Sequence, residues 1–178
     1  MFYIIYICMD KNDLRKKYLN IRANSKYDVS TIHNKLFSLP EFKNAETVFT
    51  YVSVGNEIDT YEIIKKCFGI GKKVAVPKCI GDNLEFYYIN SINDLKEGSF
   101  NIPEPTTNIK ATNFQNSICI TPGVVFDRKG FRIGYGKGFY DRFFKAYTGY
   151  KIGLCTRDCV ITELSAQPHD IAVDIVIF

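Results

Sequence analysis

Between residues 130 and 143 the chain reads "GFRIGYGKGFYDRF". Gly134, Gly136 and Gly138 alternate with Tyr135 and Lys137, Arg132 stands just ahead, and Asp141 and Arg142 close the run. These residue types suit a polyphosphate. Glycine lets backbone N–H groups approach an anion with no Cβ in the way. Arg132 and Lys137 could neutralise phosphate oxygens, and Asp141 could hold Mg²⁺ through oxygen ligation. A Walker loop, however, needs glycine where Phe131 stands and Ser or Thr where Gly138 stands, and GxGxxG needs glycine at Phe139. Taken alone, the run is open to two readings, a phosphate loop or a glycine-rich turn.

Such a loop works only if strands and helices hold it. "SICITPGVVF" (117–126) reads as a buried strand delivering the chain to the glycines, and "KGFYDRFFKAY" (137–147) reads as a helix leaving them. A loop between strand and helix gains the positive end of the helix dipole and lies where α/β proteins bind ligands. Upstream, residues 10–23 carry a helical period with Asp10 as N-cap, and 28–39 form a second helix stopped by Pro40. "TVFTYVSV" (47–54), "DTYEIIKKCFGIG" (59–71) and "KKVAVPK" (72–78) make a β-α-β unit, which calls for a parallel sheet. Strands follow at 83–89, 150–155 and 171–178, and "NIPEPTTN" (101–108) reads as a proline-bound loop. The expected fold is α/β: a single three-layer domain with a mostly parallel central sheet flanked by helices.

With 178 residues, 46% hydrophobic and 24% charged, the chain suits one soluble domain. The net charge of +4 suits a small anionic ligand and gives little support to nucleic acid. Six scattered cysteines and two histidines, His33 and His169, offer no clustered zinc site and read as reduced thiols in a cytoplasmic protein. The apolar start "MFYIIYIC" is too short for a membrane span and lacks a basic flank. Residues 1–8 are therefore read as a disordered or spurious extension, with Met9 as an alternative start, and 9–178 as the domain.

The stretch "ITPGVVFDRKGFRIGYGKGFYDRFF" resembles the signature PGxAFDxxGxRLGxGxGYYDR of the 5-formyltetrahydrofolate cyclo-ligase family, also called methenyltetrahydrofolate synthetases. Val125 replaces Ala, Ile133 replaces Leu and Phe139 replaces Tyr. "KNDLRKKYL" is similar to the family's N-terminal K-x-x-L-R helix, and "VSVGNEIDTYEII" to its S-x-x-x-E-[VI]-[DE]-T stretch. "VAVPK" and "FNIPEP" resemble its P-[RK] strand end and G-I-x-EP loop, with Phe100 and Asn101 at the usual glycine. "PHDIAVDIVI" is similar to its terminal HD-x-x-[LV]-D segment. With the signature, these five further motifs run in order from about Lys11 to the C-terminus.

The resemblance implies ATP- and Mg²⁺-dependent cyclisation of 5-formyltetrahydrofolate to 5,10-methenyltetrahydrofolate, with release of ADP and phosphate. The formyl oxygen is phosphorylated and N10 then attacks the activated carbon. By carry-over, Gly134, Tyr135, Gly136, Lys137 and Gly138 would wrap the triphosphate, joined by Phe139 and Tyr140. Arg132 and Lys137 would act as catalytic charge clamps, and Lys11 and Arg15, four apart on one helical face, would reach phosphates. Asp141 and Asp170 would hold Mg²⁺. Val54, Glu57, Asp59 and Tyr140 would contact the folate, although Glu57 and Asp59 could simply favour a helix N-terminus. The expected partner is the folate, polyglutamylated or not, bound by a cytoplasmic monomer with no nucleic acid and no membrane. The alternative is a non-catalytic folate- or nucleotide-binding relative. A sugar-phosphate isomerase or CoA-transferase-like enzyme would need a general base or carboxylate nucleophile that no motif supplies.

Overall fold

A computed structural model describes residues 9–98 and 101–178, so the expected extension at 1–8 lies outside the described residues. Helix α1 spans Lys11–Asn24, and the Asp10 carboxylate caps it by accepting the N–H groups of Asn12 and Asp13 at 2.7 and 2.8 Å. Helix α2 spans Val29–Ser38. Pro40 does more than stop it, for it takes the first position of a short helix α3, Pro40–Asn44. There the missing N–H costs nothing, and the ring presets φ.

Strand β1 (Thr47–Thr50), helix α4 (Tyr61–Gly69) and strand β2 (Lys73–Ile80) form the expected unit, with β1 and β2 parallel neighbours. Strand β3 (Asn83–Ile89) returns antiparallel to β2. A small ribbon follows, β4 (Leu95–Glu97) with β5 (Pro103–Pro105), so the proline loop contains a short strand. The run 117–126, expected as one strand, is two. Strand β6 (Ser117–Thr121) belongs to the main sheet, while β7 (Val125–Asp127) pairs with β8 (Arg132–Ile133) and β10 (Val160–Ile161) in a separate sheet. Pro122 ends the ladder because it has no N–H to donate. Gly123 then allows the bend, since a Cβ there would lie 2.3 Å from the Phe126 ring. Helix α5 (Phe139–Phe144), β9 (Tyr150–Leu154) and β11 (Ile175–Ile177) complete the chain.

The main sheet has the order β11-β9-β6-β1-β2-β3 and is parallel except at β2–β3. Strand side chains alternate between its faces. Val48, Val74, Val76, Ile118, Ile120, Ile152 and Leu154 pack with Ile32, Leu36, Phe42, Ile63 and Ile64 from α2, α3 and α4. On the opposite face, Phe49, Ala75, Phe86 and Cys119 pack with Tyr18, Phe126, Phe144 and Tyr147. Much of the chain's phenylalanine goes there: Phe49, Phe86, Phe114, Phe143 and Tyr147 sit with ring centroids 4.6–6.3 Å apart. Strand order reverses at β1, with β2 and β3 to one side and β6, β9 and β11 to the other. The crevice beyond the ends of β1 and β6 is therefore the place where an α/β sheet binds ligands.

Candidate functional site

The glycine run leaves β8 and reaches α5 across Gly134–Gly138. Gly136 and Gly138 adopt φ of +92° and +64°, a region that L side chains rarely enter. Each also lies close under a guanidinium. A Cβ on Gly136 would lie 3.3 Å from Arg15 Nη2, and one on Gly138 would lie 2.9 Å from Arg142 Nη1. Arg15 Nε donates to the Gly134 carbonyl at 2.7 Å, and Arg142 Nη2 donates to the Lys137 carbonyl at 2.8 Å. Two arginines thus occupy loop carbonyls. Among the described residues, the N–H groups of Tyr135, Gly136 and Gly138 donate to no protein acceptor, and these residues are exposed. An exposed loop that turns unpaired N–H groups and lysine and arginine cations to solvent fits a polyphosphate. Helix α5 has only six residues, so its dipole adds little to that fit.

Asp141 sits in the first turn of α5. Its Oδ1 accepts from Arg132 Nη2 and from the Ile171 N–H, each at 3.1 Å. The structure places Arg132 away from solvent. Its side chain is only 4% exposed, beneath α5, with the guanidinium 5.8 and 5.1 Å from the ring centroids of Tyr140 and Phe144. Nη1 donates to the Ile171 carbonyl at 2.8 Å. Burial weakens its hold on its proton, which the Asp141 carboxylate partly offsets. Arg132 is thus a fixed cation held against Asp141 and the Ile171 carbonyl, turned away from solvent.

Asp170, next to Ile171, accepts from Lys11 Nζ at 2.5 Å and from the Gln167 N–H at 2.7 Å. Burial pushes its proton affinity up, but the Gln167 N–H and Lys11 outweigh this, and the carboxyl lies below its ordinary range. The fold thus gathers the two carboxylates named from sequence around one peptide. On each, one oxygen is engaged. Asp141 Oδ2 has no hydrogen-bond partner among the described residues, and Asp170 Oδ1 faces only His169, at 3.7 Å. No group of three or more His, Cys, Asp or Glu that could hold a metal occurs among the described residues. A pair of carboxylates with oxygens to spare suits Mg²⁺, which takes one or two carboxylates and completes its shell with phosphate and water.

The segment between β1 and α4 forms the other wall. Glu57 folds back so that Oε2 accepts the Val54 N–H at 3.0 Å. Burial pushes its carboxyl above the usual range, and the Val54 N–H, Arg22 and Tyr135 partly offset this. Asp59 is already committed. Its two oxygens accept the N–H groups of Tyr61 and Glu62, both at 3.2 Å, at the start of α4. Asp59 thus serves the start of α4, as the helix-terminus reading expected. Tyr140 is half-buried against Phe86 and Phe144, and its buried hydroxyl has no hydrogen-bond partner among the described residues, an unmet need that a polar ligand group could fill. Phe139 lies under the Arg142 guanidinium, 5.3 Å from centroid to carbon. The Tyr135 hydroxyl accepts from Arg22 Nη2 at 2.6 Å. Sequence reasoning passed over Arg22 as a site residue, although it falls on the inward face of α1 with Lys11, Arg15 and Tyr18. A charged residue on a core-facing stripe was the available signal.

An α/β sheet with an arginine-braced glycine loop and a carboxylate pair beyond its switch point is an architecture that suits a small-molecule enzyme. The chain belongs to the 5-formyltetrahydrofolate cyclo-ligase family, whose model matches residues 8–178. The chain is 30% identical to the 5-formyltetrahydrofolate cyclo-ligase of Saccharomyces cerevisiae, over 94% of each chain. It is also 30% identical to that of Escherichia coli K12, over 80% of this chain and 83% of the relative. The solved structure of 5,10-methenyltetrahydrofolate synthetase from Aquifex aeolicus is similar to it with a TM-score of 0.83 and 32% identity, covering 95% of this chain and 89% of that one. No helix among the described residues is long and apolar enough to cross a membrane.

Proposed function

We propose that this chain closes 5-formyltetrahydrofolate to 5,10-methenyltetrahydrofolate with consumption of ATP and release of ADP and phosphate. The observation that carries the proposal is the convergence, around Ile171 and α5, of the glycine loop with the Asp141 and Asp170 carboxylates. MgATP, when bound, supplies the phosphoryl group that makes the formyl oxygen a leaving group, after which N10 can close the ring. The protein need supply no nucleophile, and its work is positioning and charge neutralisation.

In this reading the N–H groups of Gly134–Gly138 hold phosphate oxygens, and Lys137 and Arg15 neutralise them. Lys11 sits beside Asp170 and keeps that carboxylate ionised for the metal. Arg132 fixes the Asp141 rotamer for the same purpose. Glu57 and the Tyr140 hydroxyl meet polar atoms of the folate, while Val54 and the aromatic cluster cover its apolar part. The folate is taken with or without a polyglutamate tail by a monomer, and the cytoplasm suits the free thiols of Cys67, Cys79, Cys119, Cys155 and Cys159. The test mixes purified protein with 5-formyltetrahydrofolate, ATP and Mg²⁺ and follows the methenyl-folate absorbance band. The band should grow only when all three are present. Equal growth without nucleotide would overturn the proposal.

A further inference from the structure

Arg22 has no part in the reaction as described, yet it is a buried cation at the centre of the site, 7% exposed. Its Nη2 donates to the Tyr135 hydroxyl at 2.6 Å and its Nη1 to the Gly123 carbonyl at 3.3 Å. Tyr135 belongs to the glycine loop, and Gly123 to the bend after β6. Glu57 completes the junction, because it lies in the field of Arg22 and lines the same small cavity. Arg22, Glu57, Gly123 and Thr156 line one cavity of about 10 Å³, the size of a single water. Arg22 Nε and Thr156 Oγ1 are both buried without a hydrogen-bond partner. A guanidinium that uses so few of its five N–H groups is poorly explained as packing alone, since Leu or Met would fill the space without that desolvation.

We propose that Arg22 is a positioning residue that couples the two halves of the site. It fastens the loop taken here to hold the triphosphate to the wall that carries Glu57, so filling either half favours the arrangement the other half needs. The inference rests on the function proposed above. Tyr135 is flanked by two glycines and is 53% exposed, so its anchor is Arg22, which holds its hydroxyl and lies 5.7 Å from its ring centroid. Coupling of this kind is reciprocal, whichever ligand binds first.

The experiment is calorimetric titration of a non-hydrolysable ATP analogue with Mg²⁺, with and without saturating 5-formyltetrahydrofolate. In the wild-type chain the folate should tighten the analogue by about tenfold, within the usual range for coupled sites. Tyr135→Phe removes only the hydroxyl that Arg22 holds, and it should bring that factor within about twofold of unity. Arg22→Lys should do the same. Coupling absent from the wild type, or intact in both variants, would overturn the proposal, as would a fall in melting temperature for Arg22→Lys with coupling unchanged. Wild-type turnover separates the two readings. No ATP-dependent product sinks the proposed function, whereas normal turnover with coupling untouched by Tyr135→Phe sinks only the role of Arg22.

Discussion

The loop at 134–138 and the segment at 51–60 face the same crevice but are held in opposite ways. The segment after β1 is tied to itself. The Tyr51 hydroxyl donates to the Ile58 carbonyl, Ser53 and Thr60 exchange side-chain and backbone bonds, and Val54 donates to Glu57. All of these partners lie within ten residues of one another. The glycine loop is braced from elsewhere: Arg15 comes from α1, 119 residues away in sequence, and Arg142 anchors itself to the Asp82 carbonyl in the turn between β2 and β3. One wall is preformed largely by local bonds and is half-buried, whereas the other is assembled by tertiary packing and left open. An open, glycine-rich loop suits a ligand that must enter and leave at each turnover.

Substitutions should separate the two walls by what they damage. The largest effect is expected at Lys137. Lys137→Ala should lower kcat by about two to three orders of magnitude, the usual scale for removing one preorganised charge partner. Its melting temperature should stay near that of the wild type, because the residue is exposed. Activity close to normal would reduce the glycine run to a turn. Next comes Arg132→Met, which strips Asp141 of its buried partner. It should cost about 3 kcal/mol of stability, the low end for breaking a buried pair. It should also raise the Mg²⁺ concentration needed for half-maximal rate by about 10- to 100-fold, the scale for losing a supporting contact to a metal ligand. Reduced activity with an unchanged metal requirement would return Arg132 to the role of phosphate clamp.

The same contrast explains what could be read from the chain. The β-α-β unit, the cap at Asp10 and the glycine run were legible because periodicity, capping and turn chemistry are local. The carboxylates Asp141 and Asp170 were named through motif resemblance, and the fold brings them together at Ile171. The burial of Arg132 was hidden, since a charged residue between glycines looks exposed until α5 is seen to close over it. Arg22 was hidden for a related reason, because its partners Gly123 and Tyr135 lie more than 100 residues away. The split of 117–126 into two strands depended on the Phe126 ring lying over Gly123 and Gly153, a tertiary contact that no window of sequence displays.

On the locally tied wall the effects should be smaller. Asp59→Ala removes the acceptor for two N–H groups at the start of α4 and should cost about 1 kcal/mol, as helix caps do. The KM for the folate should be unchanged, measured alongside chemical denaturation. A selective rise in that KM would show that Asp59 meets substrate after all and would erase the distinction from Glu57.

Glu57→Gln sharpens the comparison most finely, through pH. Burial raises the proton affinity of Glu57 above its ordinary 4.5, only partly offset by the Val54 N–H, Arg22 and Tyr135. A carboxyl that holds its proton more tightly when folded gives its full stabilisation below that ordinary value. It loses this as pH rises through the raised folded value, because the ionised form is then confined in the protein. Glutamine cannot ionise. The variant should therefore gain on the wild type in melting temperature as pH climbs past 4.5, and the gap should level off once the folded carboxyl is fully ionised. Folate binding by the variant should weaken over the same range, because the ionised acceptor is missing. A gap that stays flat with pH, or that favours the wild type as pH rises, would mean that Arg22 and Tyr135 already stabilise the carboxylate as well as water does. The wall after β1 would then be as dependent on distant residues as the glycine loop opposite it.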